Sequence, residues 1–180
     1  MAGLLGAFAC QVALAASLVL RVVDEQGAAL EHAAVALKPV GPMPPLKPGK
    51  AEIVQQGKRF NPLMTAVPSG TAISFPNLDT VRHHVYSFSP AKSFELKLYI
   101  GTPAAPVVFD NPGVVVMGCN IHDAMVAYVV VSDTPWVGVS DAAGGGGPPG
   151  GPGGGVQTAT TRPRRGGGGQ QGGGQPARGG

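Results

Sequence analysis

Three sulfur and nitrogen donors fall within seven residues: Cys119, His122 and Met125, in Gly118-Cys-Asn-Ile-His-Asp-Ala-Met125. The order is Cys-x-x-His-x-x-Met. A tight loop can turn a thiolate, an imidazole and a thioether toward one point. A further imidazole stands upstream at His83-His84, inside a run of strand-forming residues. One Cys, two His and a weak, distant Met sulfur make a ligand set with three short bonds and one long axial bond. Soft sulfur suits copper(I), and imidazole suits both oxidation states of copper. The chemistry this mixture favours is the gain and loss of one electron at a bound copper ion.

A loop can aim three donors, but the fourth must come from a distant strand. The sequence supplies short strands between turn signals. Phe60–Val67 ends at Pro68-Ser-Gly70, and Thr71–Phe75 ends at Pro76-Asn-Leu-Asp79. His83–Phe88 and Phe94–Ile100 follow, closed by Gly101-Thr-Pro103. Val107–Phe109 precedes Asp110-Asn-Pro-Gly113, Val114–Met117 leads into the Cys loop, and Tyr128–Val131 runs to Asp133-Thr-Pro135. Runs of this length with regular punctuation predict an antiparallel sandwich. Nearer the start, Ser17–Val23 and Ala33–Leu37 read as a hairpin around Asp24-Glu-Gln-Gly27. A helix across Ala28–Leu37 competes, because Ala and Leu favour it. Five prolines between positions 39 and 48 make residues 39–49 an extended connector.

The chain ends differ from the middle. Residues 1–16 are small and apolar, and Ala13-Leu14-Ala15 fits the small-x-small cleavage pattern of a secretory signal. The run is too short to span a bilayer, so no stable membrane insertion is expected. Removal of this signal peptide would take Cys10 with it. Cys119 would then be a lone thiol in a periplasmic or secreted protein, and His122 three residues on favours a metal-ligand role for it. Residues 142–180 hold 18 of the 29 glycines. Such a segment has little apolar surface to offset the entropy of ordering, which predicts a disordered Gly/Pro/Arg-rich tail. The predicted domain is therefore 17–141, with 17–49 as its N-terminal hairpin and connector. It carries nine Lys and Arg against ten Asp and Glu, while the tail carries four Arg and no acid. The folded part thus gives no electrostatic footprint for nucleic acid. The Arg-Gly tail of an exported chain reads as a flexible spacer.

The run Pro112-Gly113, Cys119-x-x-His122-x-x-Met125 and Val129-Val-Val131 resembles the copper-site segment of the cupredoxins. The amicyanin type, with two residues between the last His and the Met, is the nearest pattern. Asn77 stands six residues before His83, and Val85 two after it. This resembles the step by which a strand-end Asn precedes the first copper histidine. Residues 50–136 look like cupredoxins labelled methylamine utilization proteins. The resemblance implies an all-β, cupredoxin-like antiparallel Greek-key β-sandwich. It implies one type 1 copper ion held by His83, Cys119, His122 and Met125, with His122 on the solvent side. His84 falls where relatives carry an Asn that braces the Cys loop. Strand alternation sends His83 and His84 to opposite faces. The Asn77 step and Val85 favour His83 as ligand, whereas Phe88, four residues after His84, favours His84. This sequence also departs from the pattern. Val116, Met117 and Gly118 stand where relatives carry an aromatic residue, Ile121 replaces a Pro, and Asp123 follows His122.

The function this implies is a single-electron carrier outside the cytoplasm, not an enzyme. Its partners would be redox proteins, such as a periplasmic dehydrogenase or a c-type cytochrome. Copper storage or delivery would use the same ligands. A nucleophile at Cys119 with His122 as base lacks an evident Asp or Asn to orient the imidazole and leaves Met125 without a role. Zinc fits less well, because Met is a poor zinc ligand.

Overall fold

The structure is a computed structural model that describes residues 20–146 and 156–161. The predicted signal peptide lies outside the described residues. Among the described residues every regular element is a strand, and no helix is long and apolar enough to cross a membrane.

Alternation of side chains along two strands sets the faces of the main sheet. Strand β7 (His83–Ser89) buries His83, Val85 and Ser87 and turns His84, Tyr86 and Phe88 the other way. Strand β10 (Gly113–Cys119) buries Val115, Met117 and Cys119 on the same beat. This period of two is the pleat itself. With β5 (Met64–Pro68), β8 (Lys92–Tyr99) and β11 (Val126–Ser132) they form a five-stranded sheet in the order β5-β11-β10-β7-β8. Only the β5–β11 pair is parallel.

A second sheet, β2 (Lys50–Glu52), β6 (Thr71–Ser74) and β9 (Val107–Phe109), has the order β2-β6-β9. The two-residue strands β3 (Val54–Gln55) and β4 (Phe60–Asn61) pair beside it in sequence. One buried cluster joins the two larger sheets. Val85, Val115, Met117 and Val129 come from the five-stranded sheet, and Ile53, Ile73, Phe75 and Phe109 from the other side. Phe75 stacks on Phe94 with ring centroids 5.6 Å apart, and Phe94 meets Phe109 edge-on at 5.9 Å. Offset and edge-to-face pairs of this kind add to what area burial contributes. The result is a β-sandwich whose core lies directly beneath Cys119.

A third layer covers part of the outer face. It consists of β12 (Val137–Val139), β1 (Ala34–Pro39) and β13 (Val156–Thr161) in the order β12-β1-β13. Ala34, Met64 and Val130 form a small buried cluster here, with Tyr128 and Val139 against it. This explains why Val129, Val130 and Val131 are all buried on consecutive positions. A strand covered on both faces reads as a continuous apolar run instead of an alternation.

The N-terminal hairpin differs from expectation. The Asp24–Gly27 turn forms, with Asp24 Oδ1 accepting from the amides of Gln26 (3.0 Å) and Ala28 (2.8 Å). Only the bridge Val23↔Ala29 flanks it. The predicted return strand appears as β1, but its partners are β12 and β13. Buried hydroxyls tie it to the C-terminal end: Ser140 Oγ accepts from the Ala33 amide (2.9 Å), and Thr134 Oγ1 donates to the Leu37 carbonyl (2.6 Å). Within 142–180, Val156–Thr161 runs as β13; this stretch holds no Gly or Pro, and four of its six residues are β-branched. The remainder, 147–155 and 162–180, lies outside the described residues.

Candidate metal centre

The centre forms where β7 and β10 meet. Cys119, the last residue of β10, pairs with Val85. His83 lies two residues before Val85 on the same inward face, so the pleat brings its ring to the thiol. The register of the β7–β8 ladder shifts between His83 and Val85, where β8 carries one extra residue. Such irregularities aim side chains at sites. Beyond Cys119 the chain folds back on itself. The Met125 amide donates to the His122 carbonyl (2.9 Å), and the Cys119 amide donates to the Met125 carbonyl (3.3 Å).

The candidate donor atoms converge. Cys119 Sγ is 3.8 Å from His83 Nδ1 and 3.9 Å from His122 Nδ1. One donor atom from each of the three residues lies within 4.8 Å of the others. The two imidazole rings stand 5.0 Å apart at 66°. A metal about 2.0–2.3 Å from nitrogen and sulfur donors sees trigonal neighbours roughly 3.5–4 Å apart. The three side chains therefore fit one ion without rearrangement, and a sulfur–imidazole donor set suits copper. His83 is fully buried, Cys119 and Met125 nearly so, and His122 is half-buried. Met125 belongs to the same buried cluster as Cys119.

His84 points away from the centre. Its Nε2 is 2.8 Å from Glu95 Oε1 on β8. It still braces the Cys loop, but through its backbone: the Asn120 amide donates to the His84 carbonyl (3.1 Å). The residues just before Cys119 are Val116, Met117 and Gly118, none of them aromatic, and the ring of Tyr86 on β7 lies against Gly118. A Cβ added to Gly118 would sit 3.1 Å from the Tyr86 ring.

Sequence reasoning passed over one contact to a proposed ligand. Asp79, read only as part of a turn, puts Oδ2 2.8 Å from His83 Nε2. A carboxylate four residues before a candidate ligand histidine was the available signal. The hydrogen bond from His83, and after it the amide of Lys58, holds the Asp79 carboxyl below the usual carboxylate range. Asn77, which the Asn–His step singled out, organises this turn. Its Nδ2 donates to the carbonyls of Val81 and Tyr99 (2.9 Å each), and its Oδ1 accepts from the Asp79 amide (3.0 Å). Beneath lies a polar knot in which Gln55 Nε2 donates to Tyr99 Oη (2.5 Å) and Tyr99 donates to the Phe75 carbonyl (2.7 Å). Burial pushes the Tyr99 phenol up to about 12.

No protein-family model matches the chain, and no curated protein matches it. Solved structures similar to it include cupredoxins and a copper-containing nitrite reductase. A purple cupredoxin from Nitrosopumilus maritimus is 26% identical with a TM-score of 0.40, over 46% of this chain and 99% of that one. A copper-containing nitrite reductase from Thermus scotoductus is 23% identical with a TM-score of 0.44, over 53% of this chain and 25% of the reductase. A reduced amicyanin variant is 16% identical with a TM-score of 0.43, over 54% of this chain and 98% of that one.

Proposed function

We propose that this chain is a blue, type 1 copper protein that carries single electrons. His83, Cys119 and His122 are its strong ligands, and Met125 is its weak axial ligand. The observation that supports this best is the approach of both imidazole Nδ1 atoms to one buried thiol, at 3.8 and 3.9 Å. Bound copper would supply the one-electron chemistry. The residues supply what makes such chemistry fast. Two ligands come from paired strands and the third from a loop closed by backbone hydrogen bonds, so the donors are held in place before any metal arrives. A rigid donor set changes little between oxidation states, and the outer contacts of its ligands tune the potential. His122, half-buried among buried ligands, is the edge through which an electron passes to a partner.

The domain we assign is 17–141, onto which β13 from the following segment pairs through β1, and it is preceded by a signal peptide over 1–16. A periplasmic or secreted location is supported by the small-x-small motif and by a single thiol left after cleavage. The partner is then another redox protein, of which a periplasmic dehydrogenase and a c-type cytochrome are the chemical classes that fit. The protein itself turns over no substrate.

Visible absorption and voltammetry of the copper-loaded protein test this reading. The expected result is an intense thiolate-to-copper band with a reversible one-electron wave. A colourless, tightly copper-bound protein without that wave would overturn it in favour of storage or delivery.

A further inference from the structure

His83 turns Nδ1 toward the thiol, while its other ring nitrogen, Nε2, lies 2.8 Å from Asp79 Oδ2. We infer that Asp79 is a positioning residue of the metal centre: its carboxylate fixes the tautomer and orientation of the buried His83 ring and adds a negative charge next to the ion. This rests on the copper reading above. A ring that donates Nε2–H to a carboxylate keeps Nδ1 free of a proton, available as a metal donor, and becomes a more basic ligand.

The carboxylate is itself held by two backbone amides. Oδ1 accepts from the Gly57 amide at 2.7 Å, and Oδ2 accepts from the Lys58 amide at 2.9 Å. These two residues adopt left-handed backbone, with φ 63° at Gly57 and φ 55° at Lys58. Glycine takes this region freely, whereas a lysine does so against steric resistance. Backbone strain of this kind persists only where the surroundings impose it. Here it aims two successive N–H groups at one carboxylate. From below, the Asp79 amide is anchored on Asn77, which is buried and bound to two carbonyls. Two separate loops, 56–59 and 77–82, thus converge on one side chain whose inward contact is the proposed ligand.

A loop clasp alone would explain the Gly57 and Lys58 contacts. It would not require Oδ2 to face the one ring nitrogen that points away from the thiol, in a ring with no exposure to water. Buried N–H groups without an acceptor are costly, and a charged acceptor makes the stronger bond. A negative charge beside the centre favours copper(II) over copper(I), which lowers the reduction potential.

Copper-loaded wild type and Asp79→Asn provide the test. Asparagine keeps the shape and removes the charge. The variant is expected to retain its visible band, lose about 10–100-fold in copper(II) affinity, and lose less in copper(I) affinity. Its midpoint potential rises, by about 59 mV for each tenfold difference between the two. A variant with wild-type potential and copper(II) affinity overturns the inference, whatever its melting temperature. If the variant fails to fold, NMR of the wild-type copper(I) protein decides. A slowly exchanging, low-field His83 Nε2 proton supports the clamp, and a rapidly exchanging one overturns it. A wild type without the thiolate band would overturn the copper reading instead, so the two failures are distinct.

Discussion

Adjacent histidines with opposite surroundings make the sharpest contrast at the scale of single residues. His83 is buried between a thiol and a carboxylate, and His84 reaches a half-exposed Glu95 on the other side of the sheet. In His83→Ala the visible band of copper-loaded protein is expected to disappear. In His84→Ala it is expected to remain. The His84–Glu95 contact reaches a half-exposed carboxylate that water screens, and contributes about 0–1 kcal/mol, so thermal unfolding of His84→Ala should move little. Equal spectral loss in both variants would contradict the assignment. The sequence alone left the pair open, because alternation says that the two faces differ but not which face carries Cys119. The pairing of Cys119 with Val85 decides that, and such a pairing joins segments far apart in the chain. Asp79 was less legible still. Its importance depends on a loop at Gly57-Lys58 that carries no motif.

At the scale of elements, the runs bounded by turn signals were legible: His83–Phe88, Phe94–Ile100, Val114–Met117 and Tyr128–Val131 reappear in β7, β8, β10 and β11. The two- and three-residue strands β2, β3 and β12 carry too few residues to show a period. The wrong partner for β1 has another cause. Its hydrogen-bonding neighbours lie about a hundred residues away, held by Ser140 and Thr134, whose hydroxyls look like ordinary surface polarity in sequence. The strand before Cys119 makes a prediction of its own. A methyl group at Gly118 meets the tip of the Tyr86 ring at 3.1 Å, so in Gly118→Ala that ring must give by a few tenths of an ångström. The substitution is expected to cost about 1–3 kcal/mol, the usual penalty of overpacking, in a denaturant titration. Gly118→Ala combined with Tyr86→Ala should recover part of that loss. In the opposite layer, Phe75→Ala removes a ring that packs on both Phe94 and Phe109. It should lower stability by about 3–5 kcal/mol.

The whole molecule is layered, and the layers separate function from cover. Two of the proposed ligands, Cys119 and Met125, sit in the cluster shared by the five-stranded sheet and β2-β6-β9. The β12-β1-β13 layer packs on the opposite face, around Ala34, Met64 and Val130. A chain ending at residue 146 lacks β13 but keeps every donor. Its copper spectrum is expected to match the full-length protein, with any loss confined to thermal stability. A changed spectrum would mean that the third layer shapes the centre. The most direct measurement of the centre is X-ray absorption at the copper edge of the loaded protein. One short sulfur neighbour and two imidazole nitrogens are expected around the metal. A shell of nitrogen and oxygen alone, without the Cys119 sulfur, would contradict the convergence of His83, Cys119 and His122 on one ion.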